Sequence, residues 1–189
     1  MPKRSLREMA LKCRSALSQH ERIAAEAAIQ NAFIALPEYC AASSLALYSP
    51  VRGEVATDRV LADALSSGKR VYLPAVTADG IVFRRFEADN RLDSGAFGIL
   101  EPSVDAEVAE AGNVDLIVVP GVVFSVAGDR IGYGKGYYDK ALHQLETKGR
   151  LVAFCFECQL VEAITGEPHD VTMDRIITER RVVTPALLK

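Results

Sequence analysis

The residues best suited to chemistry lie between Asp115 and Asp139, in the string DLIVVPGVVFSVAGDRIGYGKGYYD. There Gly132, Gly134 and Gly136 alternate with Tyr133 and Lys135. Glycine at every second position lets a chain turn tightly and bring backbone N–H groups within reach of an anion. Arg130 and Lys135 add cationic donors that match phosphate oxygens. A helical pattern beginning near Tyr137 puts a helix N-terminus behind the loop, which favours negative charge further. Asp139, on the first turn of that helix, is placed to hold a magnesium ion beside phosphates. The stretch reads as a phosphate cradle, although GYGKG satisfies neither the GxxxxGK[ST] P-loop nor the GxGxxG dinucleotide fingerprint.

Such a loop needs rigid elements to hold it. The apolar run Leu116–Val119, rich in β-branched residues and closed by Pro120–Gly121, predicts a buried strand directly before it. Upstream, Leu6, Met9, Ala10, Cys13 and Leu17 recur at helical spacing, so residues 3–17 predict an amphipathic helix. Lys3, Arg4, Arg7 and Arg14 make it basic, and Arg14 is expected in solvent. Ser18-Gln19-His20-Glu21 has the form of a capping box, opening a second helix that runs toward Leu36 and stops at Pro37. A strand over 45–48 leads into the turn Ser49-Pro50-Val51-Arg52-Gly53-Glu54. Thr57 is the expected N-cap of a helix through Ala64. Strands over 71–76 and 81–86 form a hairpin around Thr77-Ala78-Asp79-Gly80. The stretch 95–102 is irregular and suited to line a pocket. A helix over 137–148, a strand over 151–156 and short strands around 176–178 and 182–183 complete the chain.

Strands alternating with helices imply an α/β layered fold with a mostly parallel sheet. No repeat, linker or break in composition divides the 189 residues, which are expected to form one domain. Both Glu54 and the glycine loop follow strands, where open α/β sheets place their ligands. A net charge of −3 argues against broad electrostatic binding to nucleic acid or anionic membrane. No apolar run approaches the roughly 20 residues of a membrane span, and the N-terminus lacks a signal-peptide core. Cys13, Cys40, Cys155 and Cys158 do not make a secreted disulfide framework, so a reducing cytoplasm is the expected setting. Cys155 and Cys158 form a CxxC, but in or beside the strand-like run LVAFCF they read as ordinary buried thiols.

The signature PG…F…G.R.G.GKGYYD resembles that of the 5-formyltetrahydrofolate cyclo-ligase family, also called methenyltetrahydrofolate synthetases. The likeness extends over nearly the whole chain through the N-terminal KR.LR, LYSPVRGEVAT, YLP, FGILEPS and the closing PHDVTMD. It implies a three-layer α/β/α Rossmann-like sandwich with a mostly parallel central sheet, and ATP- and magnesium-dependent conversion of 5-formyltetrahydrofolate to 5,10-methenyltetrahydrofolate, with release of ADP and phosphate. The formyl oxygen attacks the γ-phosphate, and N10 then attacks the activated carbon to close the ring. No protein nucleophile is needed, and catalysis rests on positioning and charge.

By match to the family motif, Lys3, Arg4 and Arg7 reach the ATP phosphates, and Arg7 touches the folate as well. Arg130, Ile131, Gly132, Tyr133, Gly134, Lys135, Gly136, Tyr137 and Tyr138 form the nucleotide loop, with Lys135 and Arg130 as the catalytic cations. Ser49, Glu54, Tyr133 and Tyr137 bind the folate, and the Glu54 carboxylate accepts from its amino-pyrimidine edge. Asp139 and Asp174 hold magnesium. The expected protein is a cytoplasmic monomer whose partners are these two small molecules, with no nucleic acid and no membrane. One position departs from the pattern: Ser125 stands where the family commonly has Asp. It leaves two alternatives open, a folate-binding protein without turnover and an ATP-dependent enzyme acting on another substrate.

Overall fold

The structure is a computed structural model that describes residues 1–78, 80–88, 92–95, 100–109, 114–134, 136–144, 150–165 and 170–185. In chain order the helices are α1 (Lys3–Ala16), α2 (Gln19–Ile34), α3 (Pro37–Ala41), α4 (Asp58–Ser66) and α5 (Tyr137–Gln144). The strands are β1 (Ser44–Ala46), β2 (Arg70–Thr77), β3 (Gly80–Phe86), β4 (Leu92–Ser94), β5 (Leu100–Pro102) and β6 (Leu116–Val119). They continue with β7 (Val123–Ser125), β8 (Arg130–Ile131), β9 (Arg150–Phe154), β10 (Leu160–Val161), β11 (Arg175–Ile177) and β12 (Val182–Val183).

Seven strands make the central sheet in the order β12-β11-β9-β6-β1-β2-β3. The inner pairings are parallel, and only the edge strands β3 and β12 run antiparallel to their neighbours. Helices cover both faces, so the inner strands read as continuous apolar runs instead of alternating ones. Leu45, Val118 and Val152 point to the face covered by Ile29 and Phe33 of α2 and by Val60 and Ala64 of α4. Their neighbours Ala46, Ile117, Val119 and Ala153 point to the other face, against Ala141 and Leu142 of α5. This is the mostly parallel α/β architecture expected from the alternation of elements.

A second sheet, β10-β7-β8, packs on α1 through Leu6, Ala10, Val123 and Ile131. It has no counterpart among the expected elements, and it is the platform from which the glycine loop leaves. The Ser18 box forms as expected: the Ser18 hydroxyl accepts from the Glu21 N–H, and the Ser18 N–H donates to the Glu21 carboxylate. Thr57 does not cap α4. Its hydroxyl donates to the Tyr48 carbonyl, and the orphan N–H groups of Arg59 and Val60 donate to Gln30 Oε1 on α2 at 3.0 and 3.2 Å. Pro37 ends α2 and then starts α3, where its missing N–H costs nothing. No helix among the described residues is long and apolar enough to cross a membrane.

Candidate active site

The glycine loop is held at its root by one arginine. Val119 ends β6 in the core, and the chain returns through β7, a turn and β8 before reaching Gly132. In that turn Gly128 has φ 98°, and a side chain there would stand 2.9 Å from the Met173 carbonyl, so only glycine fits. Arg130 is 8% exposed. Its Nη1 donates to the Pro120 carbonyl at 3.3 Å, and its Nη2 pairs with the Asp139 carboxylate on α5. Both ends of the loop, β8 and α5, are thereby tied to the end of β6. Gly134 and Gly136 have φ of 93° and 69°, the turns that alternate glycines were expected to permit. Lys135 and the side chain of Tyr137 lie outside the described residues. Tyr138 packs between both core clusters and meets Phe83 edge to face, so it braces α5.

Opposite the loop is the turn after β1. Arg52 has φ 51°, a left-handed conformation that costs a non-glycine residue about 1 kcal/mol or more. The turn presents Glu54, which is 7% exposed and accepts from the Val51 N–H at 3.1 Å. Burial pushes the Glu54 carboxyl up to about 7, against the downward pull of that N–H and of Arg14 and Arg52. Ser49 donates to the Leu100 carbonyl and ties this turn to β5. Phe97, in the stretch expected to line the pocket, lies outside the described residues.

The inner face of α1 joins the two sides. Arg7 Nε donates to the Gly132 carbonyl at 2.8 Å, and its guanidinium reaches the space beside Gly134. Lys3 pairs with Asp170 at 3.2 Å. Arg4 stands apart: it pairs with Glu8 on the solvent side, its side chain 88% exposed. Arg14, expected in solvent, is 2% exposed. Its Nη2 donates to the Tyr133 hydroxyl at 2.7 Å and to the Arg52 carbonyl at 2.9 Å. The Arg52 guanidinium lies over the Tyr133 ring, 5.1 Å from its centre. Tyr133 of the loop and the turn bearing Glu54 are therefore brought together, as their expected shared ligand requires. Leu6, Ala10 and Arg14 are all buried at four-residue spacing, so the position of Arg14 on the inward face is legible in the helical period.

The carboxylates divide differently from the expectation. Asp139 is beside the loop, but Asp174 is at the opposite end of the parallel sheet. Asp174 precedes β11, and its Oδ2 accepts from the Leu151 N–H at the start of β9 at 2.7 Å. The structure does not bring Asp139 and Asp174 together. Asp170, in the same PHDVTMD segment, is the carboxylate set among the basic residues of α1.

Ser125 is fully buried and closes the β7–β8 turn. Its hydroxyl donates to Asp129 Oδ2 at 2.6 Å and accepts from the Asp129 N–H at 3.1 Å. A carboxylate is thus present in the turn, supplied from position 129, and the departure at Ser125 leaves the loop's root intact. The four cysteines are free thiols. Burial pushes the Cys155 thiol up, and burial together with the neighbouring Cys13 thiol pushes Cys158 up to about 12, which suits inert groups and not a redox pair.

With this geometry in hand, the chain can be set beside known proteins. The solution structure of the Aquifex aeolicus 5,10-methenyltetrahydrofolate synthetase superposes with a TM-score of 0.88 at 34% identity, covering 100% of this chain and 95% of that one. A 5,10-methenyltetrahydrofolate synthetase from Mycoplasma pneumoniae gives 0.77 at 27% identity, covering 95% and 99%. The 5-formyltetrahydrofolate cyclo-ligase of Haemophilus influenzae is 31% identical over 168 residues, 86% of this chain and 88% of the relative. The model of the 5-formyltetrahydrofolate cyclo-ligase family matches residues 1–179. The chain belongs to the 5-formyltetrahydrofolate cyclo-ligase family.

Proposed function

We propose that this cyclo-ligase family enzyme converts 5-formyltetrahydrofolate to 5,10-methenyltetrahydrofolate and consumes ATP, releasing ADP and phosphate. The observation that carries this reading is the meeting of the glycine loop and the turn bearing a buried carboxylate, through Arg14, Arg52 and Tyr133. A loop of that type suits a triphosphate, and a buried carboxylate suits the paired N–H donors of an amino-pyrimidine. The relatives' names supply the two folate species that fit these halves.

In this mechanism Glu54 and Ser49 hold the pterin, and Tyr133 with Tyr137 borders the formyl group. The formyl oxygen attacks the γ-phosphorus, the bond to ADP breaks, and an iminium phosphate forms. N10 attacks its carbon and gives up its proton to the departing phosphate or to water, the ring closes, and phosphate leaves with the former formyl oxygen. Lys135, Arg7 and Lys3 neutralise the phosphate charge, most of all in the transition state. Arg130 acts one step back, by fixing Asp139 and the root of the loop. Arg4, out in solvent, adds only long-range charge.

Magnesium suits the donor set. The ion takes hard oxygen ligands, commonly one or two carboxylates with substrate phosphates and water. Asp139, beside the loop, and Asp170, beside α1, would hold it by exchanging their pairings with Arg130 and Lys3 for the ion; Asp174, at the far end of the sheet, would not reach it. When bound, it would offset charge on the phosphates. The setting that goes with this reading is a single-domain, cytoplasmic monomer. The test is absorbance of the methenyl product when pure protein meets 5-formyltetrahydrofolate, ATP and magnesium. A rise that needs all three supports the reading; folate binding without a rise would overturn it.

A further inference from the structure

Arg14 has the properties of a working residue that the proposed mechanism leaves unused. A guanidinium that is 98% shielded from solvent must be compensated, because burying a charge without partners is expensive. Arg14 is compensated only in part. Nη2 has two acceptors, the Tyr133 hydroxyl and the Arg52 carbonyl, while Nη1 is buried with no hydrogen-bond partner among the described residues. Packing alone would have been served by a leucine at this position, in line with Leu6 and Ala10.

Each contact of Arg14 falls on a group that meets the folate, or on the backbone carrying one. The Tyr133 oxygen accepts from Arg14, so the phenol's own hydrogen is left to donate elsewhere. The Arg52 carbonyl belongs to a residue in the left-handed region, and the bond from Arg14 helps hold that turn against its strain. Two residues on is Glu54. No ion pair joins Arg14 to Glu54, so its charge acts across a gap and leaves the carboxylate oxygens available. The backbone carbonyl of Arg14 in turn accepts from Arg22 Nη2 at 3.0 Å, and Arg22 Nη1 donates to the Gly53 carbonyl at 2.7 Å.

We propose that Arg14 is a positioning residue for the folate. From α1 it locks Tyr133 and the Val51–Glu54 turn into one unit, and it sets a positive charge beside the Glu54 carboxylate. This rests on the assignment of Glu54 to the folate. The charged and titratable groups that face Glu54 are Arg14 from α1, Arg52 in its own turn, Tyr48 after β1, Tyr138 from α5, and from α2 Arg22, itself paired with Glu26 at 3.9 Å. Among them Arg14 and Arg52 favour the ionised carboxylate against its burial.

The experiment is the pH profile of KM for 5-formyltetrahydrofolate, with kcat and KM for ATP, in the parent, Arg14→Met, Arg14→Lys and Glu54→Gln. In the parent KM rises as pH falls through the Glu54 titration. In Arg14→Met that inflection moves upward by about one unit, the low end for removal of a nearby opposite charge. Its folate KM at pH 7 rises about fivefold, because the ionised fraction falls from about one half to about one eleventh when an inflection near 7 moves up one unit, while KM for ATP stays within about twofold. Arg14→Lys keeps the charge and loses the fork, so the inflection stays and KM still rises severalfold. If Arg14→Met does not fold, Arg14→Lys decides: a KM equal to the parent's overturns the proposal. So does an inflection that Arg14→Met leaves in place while Glu54→Gln abolishes it. If Glu54→Gln leaves the folate KM and its profile unchanged, the assignment of Glu54 to the folate has failed instead.

Discussion

Replacing Glu54 with glutamine should make the protein more stable above neutral pH while weakening its hold on folate. The carboxyl is pushed from its ordinary 4.5 to about 7, chiefly by burial. Between those values the folded protein retains a proton that the unfolded chain has released. Stability therefore falls as pH rises through the window, and the loss is complete above it. The shift corresponds to about 3 kcal/mol at alkaline pH, with the attraction to Arg14 and Arg52 already contained in that net figure. Glutamine stays neutral at every pH, and its Oε1 can still accept from the Val51 N–H. At pH 8 Glu54→Gln should thus melt about 6–12 °C above the parent, at 2–4 °C per kcal/mol for a chain of this size. At pH 5, where the parent carboxyl is already protonated in the fold, the two should melt within about 2 °C of each other. Thermal unfolding at both pH values reads this directly, and calorimetry should show folate affinity moving the other way. Equal Tm differences at pH 5 and pH 8, or a less stable variant at pH 8, would refute the account of Glu54.

Other expectations follow from the same geometry. Lys135→Ala should lower kcat by about 10²–10³, the cost of losing one charge-stabilising donor, with folate binding retained; unchanged turnover would remove Lys135 from the mechanism. Asp170→Asn should raise the magnesium concentration needed for half-maximal rate. Asp174→Asn should instead lower the Tm and leave the magnesium dependence as in the parent, and the reverse pattern would restore Asp174 as the ligand. Ser18→Ala should cost about 1 kcal/mol of stability by removing the cap of α2, measured by denaturant unfolding.

The parts of this structure legible in the sequence are those specified locally. Leu116–Val119 and Leu151–Phe154 are buried on both faces, so each shows as an unbroken apolar run. Ser18 and Glu21 sit three residues apart, so their reciprocal cap is visible without tertiary knowledge. The β7–β8 hairpin escapes notice because strands of two and three residues carry too little periodicity to register. Thr57 has the local pattern of an N-cap, yet the α4 donors are taken by Gln30, almost 30 residues earlier and on another helix. The glycine loop, Arg7, Glu54 and Tyr133 stand out by type and motif, and α1 links them: Arg7 bonds to Gly132, and Arg14 bonds to Tyr133 and to the turn that carries Glu54. Arg14 hides behind its charge: arginine is ordinarily exposed, and only the Leu6–Ala10–Arg14 spacing says otherwise. Asp170 and Asp174 share one short segment. Which of them lies beside α1 depends on where β11 begins, a fact of the sheet and not of the segment.

In the proposed mechanism the formyl oxygen is phosphorylated between the glycine loop and the Glu54 turn. The direct measurement uses 5-formyltetrahydrofolate labelled with ¹⁸O in the formyl group, with magnesium and unlabelled ATP, and mass analysis of the released phosphate. The account predicts one labelled oxygen in the phosphate for each methenyl product formed. Label released to water, with unlabelled phosphate, would contradict it and point to ring closure without transfer of the γ-phosphoryl group to the formyl oxygen.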